Sequence, residues 1–325
     1  MGSVVEYVSQ NIADGRDRQL PDYIYLPNRL GHLQGYDRTG QYAGWLGSAY
    51  NALATDIRKR GKSDNPFFRD CTDDELDFRI KGLVSSDELS LERLRGRQSL
   101  LDQFDIARRT HELQAVFQTQ DQLRARAASL VTSDKIRTAL DIRRESDKLR
   151  DTYGRHLFGQ STLMGRRMIE AGSRFVTVLW DAPDGYSWDS HRSSKDLEKH
   201  LVPGFDQAFS ALITDLDERG LLDETLVVAV GEMGRTPKAN AQWGRGHWSF
   251  CFPCVLAGAG IRGGIAYGAS DKDAAYPKDR PVSPEDLAAT IYWALGIDPE
   301  IRLPDAQGRP VQIVEGGRPL RELFG

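Results

Sequence analysis

"SRFVTVLWDAPDGYSWDSH", Ser173 to His191, runs from an apolar stretch straight into a loop that carries three acids and a histidine. The near-continuous apolar run is the pattern of a strand covered on both faces. Downstream, "HLVPGFDQAFSALITDLDERG" places Phe205, Phe209, Leu212, Ile213 and Leu216 on one helical stripe, with Gly220 as its stop. "ETLVVAV" is the next strand and "FCFPCVLAGAG" a third. "SPEDLAATIYWALGI" opens a helix with Ser283 as cap, Pro284 in the first position and Asp286 three residues after the cap; Gly296 ends it. Strand–helix–strand order implies a parallel sheet with helices on its faces.

Upstream the pattern changes. Residues 86–170 read as a helical insertion or cap, with Leu113, Val116, Phe117, Leu123 and Ala127 at roughly helical spacing. The basic clusters "RARAASL" and "DIRRESDKLR" are interleaved with acids or apolar residues, as on a solvated face. Residues 1–85 are an irregular, loop-rich part of the same domain. They hold one strand, "DYIYLP", and a Gly- and aromatic-rich loop, "NRLGHLQGYDRTGQYAGWLGSAYN", of the kind that packs on a surface. Residues 171–325 form the α/β core.

Composition bounds the function. The 325 residues are 40% apolar and 28% charged, with a net charge of −4. This is an ordinary globular balance, without the basic excess of a general nucleic-acid binder. The apolar runs are too short to span a bilayer. The opening "MGSVVEYVSQN" has neither the basic nor the apolar region of a signal peptide, and Glu6 breaks the myristoylation pattern. Three cysteines give no disulfide framework. Cys251 and Cys254, three apart in a strand, point to opposite faces and read as packing residues.

In an open parallel sheet, ligands bind beyond the carboxyl ends of the strands. The neighbouring parallel strands "RFVTVLW" and "TLVVAV" both end in polar loops, which therefore share one edge and bring Asp181, Asp184, Asp189, His191, Glu232 and Arg235 together. His247 arrives from the loop before the third strand. Carboxylates with imidazoles suit a divalent metal, here Zn, Mn or Ca. Such an ion polarises a phosphoryl or sulfuryl oxygen. Arg235 adds bidentate grip on a tetrahedral anion. Each residue also has a plain structural reading: Asp189 as a helix cap, His191 as a surface histidine, Glu232 with Arg235 as a turn-fixing ion pair, and His247 as a local hydrogen bonder. "GAGIRG" matches a dinucleotide glycine pattern, but an extended segment follows instead of the helix that pattern needs. His111, His156 and His200 sit on helical patterns as exposed or capping residues.

The blocks "WDSH", "DERGLLDETLVVAVGEMGRTPK", "GRGHW", "LAGAGIRGG", "YGASD" and "RPVSPEDLAATIYWALGIDP" resemble the domain-of-unknown-function family 1501, within the alkaline phosphatase and arylsulfatase superfamily. The resemblance is close from about Arg150 onward and looser before it, as at "AGWLGSAYNAL". It implies a three-layer α/β/α sandwich with a mostly parallel sheet. It also implies a metal site of Asp189, His191, Glu232 and His247, with Arg235 and Thr236 beside it as anion binders. The substrate would be a small-molecule or carbohydrate anionic ester of sulfate or phosphate.

The sequence departs from the family in three ways. Gly246 stands where members carry Asp. Met233 follows Glu232 where the superfamily has His or Asn after its acid. Residues 1–80 show no buried first strand followed by an Asp-containing, Gly-rich loop, the region that supplies the superfamily's nucleophile. The chain therefore reads as truncated at its amino terminus, which would also remove the export signal that relatives usually carry. A sheet short of a strand favours self-association. No nucleophile is identified; Ser187, Ser190 and Thr236 are the hydroxyls nearest the motifs. The reading is a hydrolase-like protein with an incomplete site. The alternative is a non-catalytic binding or scaffold protein that retains the fold.

Overall fold

The computed structural model describes residues 1–11, 20–36, 38–57, 60–61, 63–80, 133–181 and 188–325. The positions read as the stripe of a helical insertion, Leu113 to Ala127, lie outside them, as do His111, Asp184 and Ser187. The described fold is mixed α/β. It has a parallel three-strand sheet and six α-helices.

The sheet centres on β1 (Tyr23–Leu26), which pairs in parallel with β2 (Leu53–Asp56) on one side and β4 (Phe175–Val178) on the other. β3 (Arg79–Ile80) adds an antiparallel edge to β2. All four residues of β1 are buried. This corrects the expectation that no buried strand precedes the glycine-rich loop: Gly31 to Gly47 follows such a strand directly. The two tyrosines obscured it, because each buries its ring beneath a polar atom.

Alternate β1 residues face opposite ways. Ile24 and Leu26 join Leu163, Met164 and Met168 of α4 (Leu157–Glu170) in the larger core. Tyr23 packs edge-on against Phe175, 5.6 Å between centroids, on the side of α1 (Gly2–Asn11). There Val4, Val5 and Val8 meet Ala289 and Tyr292 of α6 (Pro284–Ala294). The cap of α6 is the predicted box, with Ser283 Oγ accepting from Asp286 N–H and the Asp286 carboxylate accepting from Ser283 N–H, each at 3.0 Å.

Two short helices precede α4: α2 (Asp134–Leu140) and α3 (Asp147–Tyr153). His156 caps α4, its Nδ1 accepting from Gly159 N–H at 3.2 Å. The helix after β4 is α5 (Val202–Glu218), entered through a π-turn at Leu197–Leu201. Its buried residues are Gly204, Ala208, Ala211, Asp215 and Leu216, with Leu212 packed against the larger core, while Phe205 and Phe209 stack 5.3 Å apart on the flank. Of the predicted stripe, Leu216 is buried and Leu212 meets the core, whereas Phe205 and Phe209 stay half-exposed because the small residues Gly204, Ala208 and Ala211 form the face turned to α4. Gly220 stops the helix at φ +68°.

The second correction concerns β5 (Val227–Val230) and β8 (Cys254–Ala257). They form their own two-stranded antiparallel sheet, separate from β4. The expectation of a continuous parallel sheet fails here: β5 does not pair with β4 although α5 lies between them in the chain, and its pairing with β8 is antiparallel because the chain between β5 and β8 is too short of structure for a parallel return. A parallel return needs a long crossover, usually a helix. Residues 231–253 contain instead a short ribbon, β6 (Gly234–Arg235) paired antiparallel with β7 (His247–Trp248). Cys251 and Cys254 are free thiols, half-exposed and exposed, so they are not packed inside as read from the sequence. No helix follows Gly258 and Gly260 until Pro284, as the exclusion of the dinucleotide pattern requires.

Candidate metal centre

The end of β4 is tied to the loop after β1. Asp181 accepts from Gly31 N–H and from Gln34 Nε2, both at 2.6 Å. Burial lifts its pKa above the usual carboxylate range, with the Gly31 bond pulling the other way. Trp180 meets Trp188 edge to face at 5.7 Å, which places the segment beginning at Trp188 beside this edge.

Asp189 and His191 follow at once. His247 comes from β7, opposite Arg235 of β6 in the ribbon. Directly opposed residues share a face, so Arg235 and His247 stand together while Trp248 turns to the other side. The register is fixed by contacts outside the ribbon. A Cβ on Gly234 would lie 2.2 Å from the Cys251 carbonyl oxygen, so only glycine fits. Trp248 Nε1 donates to the Ala275 carbonyl at 2.7 Å.

The loop between β6 and β7 is built on Asn240, whose Oδ1 accepts from Gln242 and Gly244 N–H, each at 2.9 Å. Three bonds clamp this loop to the Asp189 segment. Asn240 Nδ2 donates to the His191 carbonyl and Arg245 N–H to the Ser190 carbonyl, each at 2.9 Å; Ser194 Oγ donates to the Trp243 carbonyl. Sequence reasoning overlooked Asn240, Ser194 and Gly244. The signal available was "ANAQWG", a composition that favours turns closed by an asparagine side chain.

The result is a convergence of three donor atoms. Asp189 Oδ1 lies 3.0 Å from His191 Nε2 and 3.3 Å from His247 Nε2, and the two imidazole nitrogens are 3.0 Å apart. All three side chains are about half exposed, open to solvent and to a ligand. Burial disfavours charge on Asp189, but the Arg235 guanidinium bonded to it and the two histidines outweigh that and hold its pKa below the ordinary range.

Glu232 does not join these atoms. It is 69% exposed and pairs with Arg235 at 3.6 Å, so it reaches the cluster only through the arginine. Arg235 is thus held between two carboxylates. Thr236 Oγ1 donates to the Lys238 carbonyl and accepts from Gly246 N–H, and so closes the ribbon's loop. Ser190 is buried, with 2% exposure.

Donor atoms around a tetrahedral zinc ion with bonds of about 2.0–2.1 Å stand about 3.3 Å apart. The three atoms here have nearly the spacing of one face of such a tetrahedron. The donor set, one carboxylate and two imidazoles, suits zinc or manganese better than calcium, which prefers oxygen alone. Among the described residues no helix is long and apolar enough to cross a membrane. No curated protein and no solved structure matches the chain. The chain belongs to the family described as Protein of unknown function (DUF1501), which matches residues 1–324.

Proposed function

We propose that the chain is a hydrolase-like protein of the alkaline phosphatase and sulfatase superfamily, with its three-layer sandwich, and that it binds an anionic sulfate or phosphate ester at a divalent metal site. The observation that carries this reading is the triangle of Asp189 Oδ1, His191 Nε2 and His247 Nε2, at 3.0–3.3 Å, built from two separate loops. These residues would hold the cation, and a cation bound there supplies charge neutralisation for an ester oxygen. Asp189 would enter the site as a carboxylate, with the Arg235 guanidinium bonded to it. Arg235, set between Asp189 and Glu232, contributes positive charge at the rim and orients the ligand carboxylate. The loop clamps at Asn240 and Arg245 fix His191 relative to His247.

A second reading, a binding or scaffold protein without turnover, is favoured by the hydroxyls. Ser190 is buried and the Thr236 hydroxyl is engaged in the ribbon, so neither is presented as a nucleophile.

The test is metal content and turnover together. Purified protein equilibrated with zinc or manganese should retain the ion, and His191→Ala or His247→Ala should lose it. Phenyl phosphate and phenyl sulfate are then offered to the loaded protein. Metal-dependent hydrolysis supports the enzyme, and metal-dependent binding without hydrolysis supports the second reading. Equal metal content in wild type and both variants rejects the site.

A further inference from the structure

Trp243 stands out in the clamped loop. Its φ is +60°, a conformation that bulky side chains rarely adopt, and it is 75% exposed. Its backbone is held from both sides: the N–H donates to the Asn240 carbonyl at 3.0 Å and the carbonyl accepts from Ser194 Oγ. The next residue, Gly244, is seated against the His191 backbone, where an added Cβ would lie 2.0 Å from the carbonyl oxygen. An exposed tryptophan gains no burial to offset the unfavourable backbone. Glycine or asparagine would suit the turn better. The loop therefore holds an indole in solvent, one residue from the backbone contact between Gly244 and His191.

We propose that Trp243 is a specificity-determining residue that stacks on the flat face of a ring in the organic part of the ester. The substrate class is then a ring-bearing anionic ester: the anion faces the triad and Arg235, and the ring lies on the indole. This rests on the metal-site reading above. A large rigid aromatic surface that loses little conformational freedom is well suited to such contact. The aromatic group Trp248, Phe250 and Tyr276 is a different surface, because Trp248 faces away from His247 in the ribbon.

The experiment is calorimetric binding of methyl phosphate, phenyl phosphate and glucose 6-phosphate to the zinc-loaded full chain. Wild type is compared with Trp243→Gly and Trp243→Phe. The expected result is tighter binding of at least one ring-bearing ester than of methyl phosphate, by about three- to tenfold; whether phenyl or glucose leads identifies an aryl or a sugar ring. Trp243→Gly should erase that preference while leaving methyl phosphate affinity and zinc content unchanged. It should melt no lower than wild type, since glycine relieves the backbone. Trp243→Phe should retain part of the preference. If zinc and methyl phosphate bind but all three esters bind alike, or if the glycine variant keeps the preference, the inference is overturned and the metal reading stands. Absence of zinc uptake and of any phosphate binding overturns both.

Discussion

The substitution Gly244→Ala tests how the site is held together. An ideal Cβ on Gly244 would lie 2.0 Å from the His191 carbonyl oxygen, 2.4 Å from its carbon and 2.8 Å from Arg192 N. All three are backbone atoms, so no side chain can rotate away. Reaching even 3.0 Å, the lower limit of real Cβ contacts, requires the two segments to part by about 1 Å. The clamps from Arg245 N–H to Ser190 and from Asn240 Nδ2 to His191, both 2.9 Å, then stretch beyond hydrogen-bonding range. With the Ser194 bond this is three hydrogen bonds at about 0.5–1.5 kcal/mol each, or about 1.5–4.5 kcal/mol of stability.

The same displacement separates His191 from His247. Metal ligands must hold their distances to within about 0.2 Å, so zinc affinity should fall by about 10- to 100-fold, as when supporting contacts of a metal site are removed. Thermal melting and competition with a chromophoric chelator measure the two effects. Gly263→Ala is the control, because nothing lies within 4 Å of its added Cβ. If Gly244→Ala melts and binds zinc as Gly263→Ala does, the loop is not what sets the distance between the histidines.

Leu163→Ala, which empties a fully buried position of α4 against the sheet, should cost about 2–5 kcal/mol in urea unfolding; a loss below about 1 kcal/mol would mean the helix does not pack there. Arg166 is fully buried and bridges Asp215 and Glu145, both at 2.8 Å; Arg166→Ala should cost about 1.5–3 kcal/mol in urea unfolding, less than a stranded pair because Asp215 keeps Arg219 and Tyr153 and Glu145 keeps Arg167, and an unchanged midpoint would reject the bridge. Burial disfavours charge on Glu75, but Arg69, Thr72 N–H and Arg60 outweigh it and hold its pKa at about 2. The unfolded value is about 4.3, so its stabilisation is complete above that pH and is lost as pH falls towards about 2; Glu75→Gln should flatten the urea midpoint over this window, and an unchanged acid profile would reject the assignment.

What the sequence revealed and what it hid divide along local and non-local physics. The Ser283–Asp286 box, the Gly220 stop and the β4 run are decided by residues a few positions apart, and each was legible. Sheet partition was not: the helix between β4 and β5 reads the same whether or not those strands pair, and the ribbon within residues 231–253 that makes β5 and β8 antiparallel has no local signature. β1 was legible as a strand but not as a buried one, since "YIYL" hides two large buried rings behind polar letters. At the site, the positions of Asp189, His191 and His247 stood out as residue types in suggestive loops. The difference between Glu232, turned to Arg235, and the three converging atoms came only with the ribbon's geometry. The clamps from Asn240, Ser194 and Arg245 act through backbone carbonyls, which no residue letter displays.

That geometry makes the site depend on a register of only two paired residues. In the ribbon Arg235 faces His247, and Gly234 faces Trp248. A slip of one residue exchanges the faces. It would put Trp248 beside Arg235 and turn His247 away from Asp189. So short a ribbon has little pairing energy of its own to prevent this. The register is held instead by contacts outside it: the Gly234 backbone beneath the Cys251 carbonyl, the Trp248 indole on the Ala275 carbonyl, and Arg245 Nη1 on the Thr236 carbonyl at 2.7 Å. Each comes from a different part of the chain after β5. The chemistry of one histidine is therefore set by packing that extends to the Asp271–Tyr276 turn, whose Asp271 carboxylate accepts from Ala275 N–H at 2.8 Å and so orients the carbonyl that Trp248 uses.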